Sequence, residues 1–420
     1  SSSGGGAREV LKFCGARDRD CRHVADRATS SHATLLLMNT DEAYAAAVQY
    51  LFSNADFSGS ARRYQNPHEN WQRFVSLLEL IGQPAKQLKI VHIAGTNGKG
   101  TTSALCDAML RASNAGTVGL FTSPHLHSFR ERIRINGGLA SKESIVAALD
   151  VVRPAVESLG YASPFEKLTA LALVCFVQNG CTWAVLETGL GGRWDCTNHS
   201  APLVCGLTRI GYDHMNVLGD TISKIAGEKA GIMKKDIPAF TVPQEGDAMR
   251  VLTKTSWDVG TPLKLIEAEG FNDPAAKEAA ELEDPLPMWL TPIHQQHNAA
   301  MAMAMMHSLS DNGHLEPSAS LLKSWRHARD TVPWPCRFEV LKPAVLEDTN
   351  ASLLLDVAHN EPAVGALLSS IDVKFPSSPF VLIFGANGDK DVKTIMKMLR
   401  VMPRLVMGIA VQSSHPKALP

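Results

Sequence analysis

Paired cysteines, long apolar segments and a strong net charge are all missing from this chain. Its eight cysteines include no C-x-x-C pair, which argues against zinc ribbons and disulfide-stapled folds and favours a reducing compartment. No apolar run approaches the roughly 18 residues of a membrane span. The net charge is −1, so no bulk field attracts nucleic acid or an anionic membrane. We therefore expect neither as a partner, and any anionic substrate must be held by local cations.

The length and composition are those of an ordinary globular protein. The 420 residues favour two or three domains, and 45% hydrophobic residues suffice for large cores. Residues 1–39 begin with serines and glycines and mix six basic with four acidic residues, a poor match to an organelle signal. We interpret them as a disordered leader of a cytoplasmic protein, with a mitochondrial location as the alternative. Folding is expected to begin near Thr40, as the N-cap of a first helix.

The most informative stretch is Gly95-Thr-Asn-Gly-Lys-Gly-Thr-Thr102, directly after the apolar run 88–94. Glycines allow a backbone to curl so that several N–H groups face one anion, and a following helix N-terminus adds positive charge. Lys99 could reach the outer phosphates of a nucleotide, and Thr101 or Thr102 could face Mg²⁺. The pattern differs from a standard P-loop, because Ile93 replaces the first glycine and Gly100 separates the lysine from the threonines. It nevertheless predicts nucleoside triphosphate binding.

Apolar runs alternate with helical patterns along most of the chain, which predicts a parallel sheet covered on both faces. The predicted strands are 89–94, 117–121, 182–186, 203–208 and 237–241, and then 338–341, 352–355 and 379–384. The predicted helices are 69–81, 102–113, 142–157, 166–178, 221–234, 294–309, 361–370 and 390–400. Residues 266–290 are expected to form a surface hairpin or loop, and 331–337 a linker. We therefore predict an α/β protein with a P-loop-type parallel-sheet domain at 40–325 and a smaller, Rossmann-like α/β domain at 326–420.

Several polar side chains follow predicted strands, where open α/β sheets bind ligands. Glu187 is followed by the glycine-rich stretch 189–192, Asp356 follows a short strand, and Asp389-Lys-Asp391 follows another. A strand-end carboxylate suits Mg²⁺ and phosphate, although Glu187 could equally be a salt-bridged structural residue. The pair Asp213-His214 could bind a metal, carry a proton or be structural.

Lys229 lies on an apolar helical stripe with Ile222, Ile225, Ala226 and Met233. Burying an ammonium is costly, so the side chain either extends to the surface, is neutralised, or faces a cleft. Reaction with CO₂ would convert it to a carbamate, which could bind a metal.

Together these motifs resemble the folylpolyglutamate synthase/dihydrofolate synthase family, the folate branch of the Mur-type ligases. The matching segments are 95–101, 121–126 with 130–137, 186–193, 211–215, 225–232, His294 with Asn298, and Asp356 with His359 and Asn360. They cover about residues 41–420 in the family's order. The stretch Ile237-Pro-Ala-Phe-Thr-Val-Pro-Gln244 is similar to the eukaryotic folylpolyglutamate synthases in particular.

The resemblance implies a monomeric ligase that uses ATP and Mg²⁺ to join L-glutamate to the γ-carboxylate of tetrahydrofolate through an acyl phosphate. The implied catalytic residues are Lys99, a carbamylated Lys229 and His359. The implied ATP-binding residues are Gly95, Thr96, Asn97, Gly98, Lys99, Gly100, Thr101, Asn298, Arg337 and Asp356. The implied metal ligands are Ser123, Glu187 and His214, and the folate is expected near Ser123, Pro124 and His125.

Some features depart from the family pattern. Pro292, Cys336 and Val357 stand where the family often has glycine, and replacement costs stability if a positive φ is needed there. The C-terminal domain is expected to be incomplete. Dihydrofolate synthase, or one chain with both activities, stays open as an alternative. A Mur-type ligase acting on a cell-wall precursor and a catalytically impaired nucleotide-binding homologue are more distant alternatives.

Overall fold

The computed structural model describes residues 39–53, 66–267, 286–316, 319–332, 334–388 and 390–412. The predicted leader at 1–39, apart from residue 39 itself, most of the predicted 266–290 loop, and Asp389 therefore fall outside the described residues. The helices are α1 Thr40–Phe52, α2 Pro67–Leu80, α3 Lys99–Ala112, α4 Lys142–Leu159, α5 Pro164–Gln178, α6 Met215–Leu218, α7 Ile222–Ala230, α8 Gly246–Val259, α9 Ile293–Asp311, α10 Ala319–Thr331, α11 Glu361–Lys374 and α12 Val392–Arg400. The strands are β1 Lys89–Ala94, β2 Val118–Phe121, β3 Ile133–Ile135, β4 Gly138–Leu139, β5 Trp183–Glu187, β6 Pro202–Leu207, β7 Ala239–Thr241, β8 Leu263–Leu265, β9 Glu339–Leu341, β10 Leu353–Leu355, β11 Phe380–Phe384 and β12 Leu405–Ala410.

Eight strands form one sheet in the order β4-β3-β2-β5-β1-β6-β7-β8, and every neighbouring pair is parallel except β2–β3 and β3–β4. Every residue of β1 after Lys89 is buried, because the sheet is covered on both faces and a central parallel strand must be apolar throughout. One face packs against α1, α2, α4 and α5, and the other against α3, α9 and α10. The predicted α/β class and doubly covered sheet are confirmed.

The first helix begins one residue earlier than predicted. Asn39, not Thr40, is the N-cap: its side chain accepts from Glu42 N at 3.0 Å, and Glu42 Oε2 accepts from Asn39 N at 3.2 Å. This reciprocal pair satisfies two backbone donors, so Thr40 becomes the first helical residue. The sequence alone does not distinguish the two positions, because threonine and asparagine are both good N-cap residues.

Helices α8 and α10 were missed by the prediction. The side chains of α10 that face the sheet core, Trp325 and Ala328, pack in the same cluster as Leu105 of α3. Helix α10 therefore extends across the predicted 325/326 boundary and packs with the large sheet, and a turn follows it at 334–338.

The smaller α/β unit follows, with a core of Val364 and Leu368 from α11 and Ile395 and Leu399 from α12. Its predicted strands are present, but they form two separate pairs, antiparallel β9–β10 and parallel β11–β12. Strand β12 was not predicted. Asp391 caps α12 by accepting from Thr394 N at 3.0 Å, which gives one of the predicted strand-end carboxylates a structural role.

Candidate active site

The glycine loop, residues 95–98, joins β1 to α3 in a conformation that requires its two glycines. Gly95 has φ +147° and Gly98 has φ +94°. A Cβ on Gly95 would fall 1.8 Å from Thr208 Oγ1, and one on Gly98 would fall 2.3 Å from Asn298 Oδ1. No L side chain fits either place without displacing its neighbour, so the loop packs tightly against β6 and α9.

The anion-binding N–H groups differ from those expected. Thr96 N and Asn97 N both donate to Arg209 O, at 2.9 and 3.1 Å, and point inward. Helix α3 already begins at Lys99, and its first turn leaves the N–H groups of Lys99, Gly100 and Thr101 without intrahelical acceptors. The candidate anion site is therefore the N-terminus of α3 with its dipole, and the first half of the loop supports it from behind.

Lys99 extends back over this helix N-terminus. Its Nζ donates to Thr96 O at 3.1 Å and lies 3.9 Å from Glu187 Oε1. Of the two threonines, Thr101 borders the cavity, whereas Thr102 Oγ1 faces Asn298 O of α9 at 3.5 Å. Only Thr101 is thus placed to meet a ligand.

Glu187 ends β5 and is almost completely buried. Its Oε2 accepts a hydrogen bond from Ser123 N at 3.1 Å. Ser123 follows the neighbouring strand β2 and precedes Pro124 in a cis peptide. Burial raises the pKa of this carboxyl, while Lys99 and the Ser123 N–H oppose the rise. A buried carboxylate with one backbone donor and a lysine nearby has unused acceptor capacity, which suits a cation.

His214 and Lys229 come from the loops and helix beyond β6. His214 has φ +50° at the start of α6, and partial burial lowers the pKa of its ring, which favours the neutral form. The Lys229 Nζ is buried and donates to Gly95 O at 2.8 Å, so it does not extend to the surface. Burial, with Lys99 adding to it, lowers the pKa of Lys229 to about 7.

Three predicted nucleotide contacts lie outside the glycine loop and line the cavity from α9 and from the region of the smaller unit. Asn298 of α9 is held by Gln295 Oε1 at 3.1 Å. Asp356 accepts from Phe338 N and Ala358 N, both at 2.8 Å, and so fixes the turn that carries Arg337. Burial lowers the pKa of Arg337, opposed by Asp356 and Glu187.

The three positions where the family often has glycine behave differently. Cys336 has φ +56°, a left-handed conformation that costs a non-glycine residue roughly 1–2 kcal/mol, so the expected strain is present there. Pro292 has φ −62° as the N-cap residue of α9, and Val357 is not among the positive-φ residues. The strain expected at these two positions is therefore absent.

Side chains of the smaller unit reach across to the glycine loop. Asn97 and Asn360 exchange hydrogen bonds between their side-chain amides, each 3.1 Å long. Asp213 accepts from Asn360 Nδ2 at 3.1 Å and from Lys390 Nζ at 2.9 Å. Although burial raises it, His359, whose Nε2 lies 3.8 Å from Asp213 Oδ2, and the nearby positive charges hold the pKa of Asp213 well below its usual range. We call these residues, Asn97, Asp213, Asn360 and Lys390, the bridge.

Most of these groups border one cavity of about 1560 Å³ between the large sheet and the smaller unit. The predicted site residues that line it are Gly95, Thr96, Asn97, Gly98, Lys99, Gly100, Thr101, Ser123, Pro124, Glu187, His214, Lys229, Asn298, Arg337, Asp356 and His359. His125 is the exception: it is not among the lining residues, and its Nδ1 accepts from Arg132 Nε at 2.7 Å. The structure therefore gives His125 the role of orienting Arg132, which does border the cavity.

Comparison with known proteins places the chain. It is 33% identical over 350 residues to a Bacillus subtilis dihydrofolate synthase/folylpolyglutamate synthase, covering 80% of this chain and 79% of that protein. The chain belongs to the folylpolyglutamate synthase/dihydrofolate synthase family. By this membership it is an ATP-dependent ligase of folate metabolism. No family model matches it.

Two further relatives support this assignment. A mitochondrial folylpolyglutamate synthase of Cricetulus griseus is 34% identical over 351 residues, which are 75% of this ligase but only 57% of that longer protein. The Mycobacterium tuberculosis folylpolyglutamate synthase, solved with ADP and AMPPCP, has 28% identity and a TM-score of 0.71 over 83% of this chain and 80% of that one.

Sequence reasoning gave the ligase's main motifs but missed some of the cavity wall. Arg132, within the matched segment 130–137, borders the cavity, and partial burial lowers its pKa to about 10. Trp334 lies in the predicted linker 331–337 and His294 in the matched motif with Asn298, and both border the cavity. The odd spacing Gly-Lys-Gly-Thr was the one sequence signal that could have pointed to Trp334.

Proposed function

We propose that this ligase adds L-glutamate to the γ-carboxylate of tetrahydrofolate at the expense of ATP. The observation that carries the proposal is the meeting of three groups in one cavity: the free N-terminus of α3, Lys99 and the buried Glu187. The names of the relatives support the same reaction. Incubation with ATP, Mg²⁺, L-glutamate and tetrahydrofolate, followed by mass measurement of the folate product, tests it.

The chemistry proceeds in two steps. An oxygen of the folate γ-carboxylate attacks the γ-phosphorus of ATP, which forms an acyl phosphate and releases ADP. The neutral amine of glutamate then attacks the acyl carbon, and the tetrahedral intermediate expels inorganic phosphate while the amine loses its proton. Activation is needed because a carboxylate oxygen is a poor leaving group and phosphate is a good one.

The residues divide this work between the two units. The N-terminus of α3 and Lys99 stabilise the charge that spreads over the transferring phosphoryl group. Asn298, Arg337 and Asp356 hold the nucleotide, Ser123 and Pro124 border the folate, and His359 lies beside the acceptor position. Because these groups come from both sides of the cavity, closure of the units excludes water from the acyl phosphate.

The donor set Ser123, Glu187 and His214 fits a magnesium ion. Within the described residues no three His, Cys, Asp or Glu side chains cluster as a metal cage. Magnesium prefers few protein ligands and completes its shell with water and phosphate oxygens, and the unused acceptor capacity of Glu187 matches this. When bound, the ion would neutralise charge on the β- and γ-phosphates.

Lys229 is proposed to act as a carbamate, because its buried amine, with a pKa of about 7, is neutral in a substantial fraction of molecules near pH 7 and neutral amines react with CO₂. We expect K229M to be inactive, and the activity of the unsubstituted enzyme to fall in CO₂-free buffer and return with bicarbonate. Without CO₂, the folded pKa of about 7 lies below the ordinary 10.5, so the native state binds fewer protons between these values and gains stability as the pH rises.

The melting temperature of the unsubstituted protein minus that of K229M should therefore increase from pH 6 to pH 9 in CO₂-free buffer. A flat difference would show that Lys229 is not buried as an amine. Activity that does not depend on CO₂ or bicarbonate would show that no carbamate forms at Lys229 during turnover.

The bridge is proposed to hold the two units closed. N360S keeps an N-cap side chain for α11 but is too short to reach Asn97 and Asp213. We expect kcat to fall about tenfold, the equivalent of one or two hydrogen bonds, with a larger radius of gyration in the nucleotide complex and little change in melting temperature. N39S, the same change at the N-cap of α1 far from the cavity, should leave kcat unchanged. Unchanged kcat in N360S as well would disprove the role of the bridge.

Dihydrofolate synthase activity, alone or with the first activity, is the second candidate, because the Bacillus subtilis relative carries both names. Offering dihydropteroate in place of tetrahydrofolate separates the two. If glutamate is added only to dihydropteroate, the first proposal is replaced by the second.

We also propose the organisation of the chain. The boundary between the ATP-binding and glutamate-ligase domains lies at the 334–338 turn, since α10 packs with the large sheet. A monomer is proposed because the described residues of one chain already bring the glycine loop, Glu187 and Arg337 together at one cavity. The cytoplasm is the proposed compartment, with the mitochondrion as the alternative because the Cricetulus griseus relative is named for it. No helix in the described ranges is long and apolar enough to cross a membrane.

A further inference from the structure

Gly100 is the residue that makes the loop sequence unusual, and a larger residue there would have no space for its side chain. A Cβ there would lie 2.8 Å from Trp334 Cζ2 and 3.5 Å from Glu187 Oε2. Unlike Gly95 and Gly98, Gly100 has no positive φ, so the constraint comes from its neighbours and not from its backbone. The first turn of α3 is thus packed between an indole ring and the buried carboxylate.

Trp334 belongs to the turn that joins the large sheet to the smaller unit. Its ring also lies 5.9 Å from the Arg337 guanidinium carbon, within reach of a cation–π contact. The next residues are firmly held to the smaller unit: Phe338 N donates to Asp356 Oδ2, and Cys336 N donates to Glu339 Oε2, both at 2.8 Å. One end of the turn therefore contacts the helix N-terminus, and the other follows the smaller unit.

The position of the indole is not the one that stability alone would select. Trp334 Nε1 is buried and has no hydrogen-bond partner in the part of the chain that the structure describes. A buried unpaired donor costs free energy, and neighbouring Cys336 and Phe338 adopt left-handed backbones at φ +56° and +49°. Unfavourable groups concentrated beside a candidate active site indicate that the placement serves the site.

We propose that Trp334 is a positioning residue that sets the N-terminus of α3 and Arg337 for phosphoryl transfer when the two units are docked. This inference rests on the proposed function. The indole packs on Gly100 and lies near the Arg337 guanidinium, so we assign it an action through these two residues. Its removal should therefore misplace the groups that stabilise the transferring phosphoryl more than it weakens nucleotide binding.

The test compares W334A, W334F and G100A with W257F, which changes a tryptophan that is 83% exposed on α8. We expect W334A and G100A to lower kcat about 100-fold, the usual cost of a misplacement of about 1 Å, with the Kd for ADP changed by no more than about threefold. W334F should restore most of kcat, because its ring still covers Gly100. W257F should behave as the unsubstituted enzyme.

A W334A enzyme with normal kcat, or a loss of kcat that W334F does not recover, would overturn the proposal. If W334A fails to fold, G100A decides alone, since it adds only a methyl group at the same contact. A separate arm does not need ligation: ADP titration should change the tryptophan fluorescence of the unsubstituted protein and of W257F, but not that of W334F. If the unsubstituted chain binds ADP and ligates nothing, the proposed function fails while this contact is still measured by fluorescence.

Discussion

K99A should lower kcat/KM for ATP by about 10²–10³, the usual effect of removing one donor that stabilises transition-state charge. Lys99 begins α3 beside the candidate phosphoryl site, and its Nζ contacts Thr96 O and the edge of Glu187. The melting temperature should change little, because a partly exposed lysine with one backbone contact contributes little to folding. Steady-state kinetics measure the change in turnover, and the Kd for ADP, determined separately, measures the change in nucleotide binding.

K99A also has a consequence for pH. The positive charge of Lys99 opposes the rise in the pKa of Glu187, so its removal should raise that pKa further. Glu187 is then ionised only at higher pH, and the residual activity of K99A should increase with pH more steeply than that of the unsubstituted enzyme. K254A, at a side chain 73% exposed on α8, is the matched control. Normal turnover by K99A would show that the glycine loop and its lysine do not take part in phosphoryl transfer.

E187Q is expected to reduce activity roughly 10³-fold or more, since losing a metal ligand forfeits several kcal/mol of charge stabilisation. Glutamine keeps the size of the side chain and can still accept from Ser123 N, so the fold should be preserved. The melting temperature should stay equal or rise, because a buried carboxyl with a raised pKa is replaced by a neutral group.

The accompanying readout is the magnesium dependence of turnover, which should shift to much higher concentration in E187Q. E79Q, the same change at an exposed residue of α2, should alter neither property. An E187Q enzyme that keeps both its rate and its magnesium dependence would leave Glu187 as a structural residue.

Local patterns were enough to predict most of the large sheet. Strand β1 and helix α3 are recognisable because a buried parallel strand is apolar throughout and the following glycines and threonines have a definite backbone preference. Lys229 was also identified as unusual from helical spacing alone. The choice between surface and cleft could not be made, because it depends on Gly95 O, which is 134 positions away in sequence.

Other features depend on contacts that no local pattern contains. The inward N–H groups of Thr96 and Asn97 follow from Arg209 O on a neighbouring strand end. The role of His125 depends on Arg132, and the need for Gly100 depends on Trp334, a residue of the turn that joins the two units. Helix α10 is hard to predict because its sequence, although free of glycine and proline, is polar on average. Its few apolar side chains meet α3 only after the chain has folded.

The most direct test of the account is isotope transfer during ligation. Tetrahydrofolate labelled with ¹⁸O in its γ-carboxylate is incubated with the enzyme, ATP, Mg²⁺ and L-glutamate, and the released inorganic phosphate is analysed by mass spectrometry. An acyl phosphate requires that one labelled oxygen leave with the phosphate for each glutamate added. Phosphate that carries no label, while the product gains glutamate, would contradict activation of the carboxylate by ATP in this cavity.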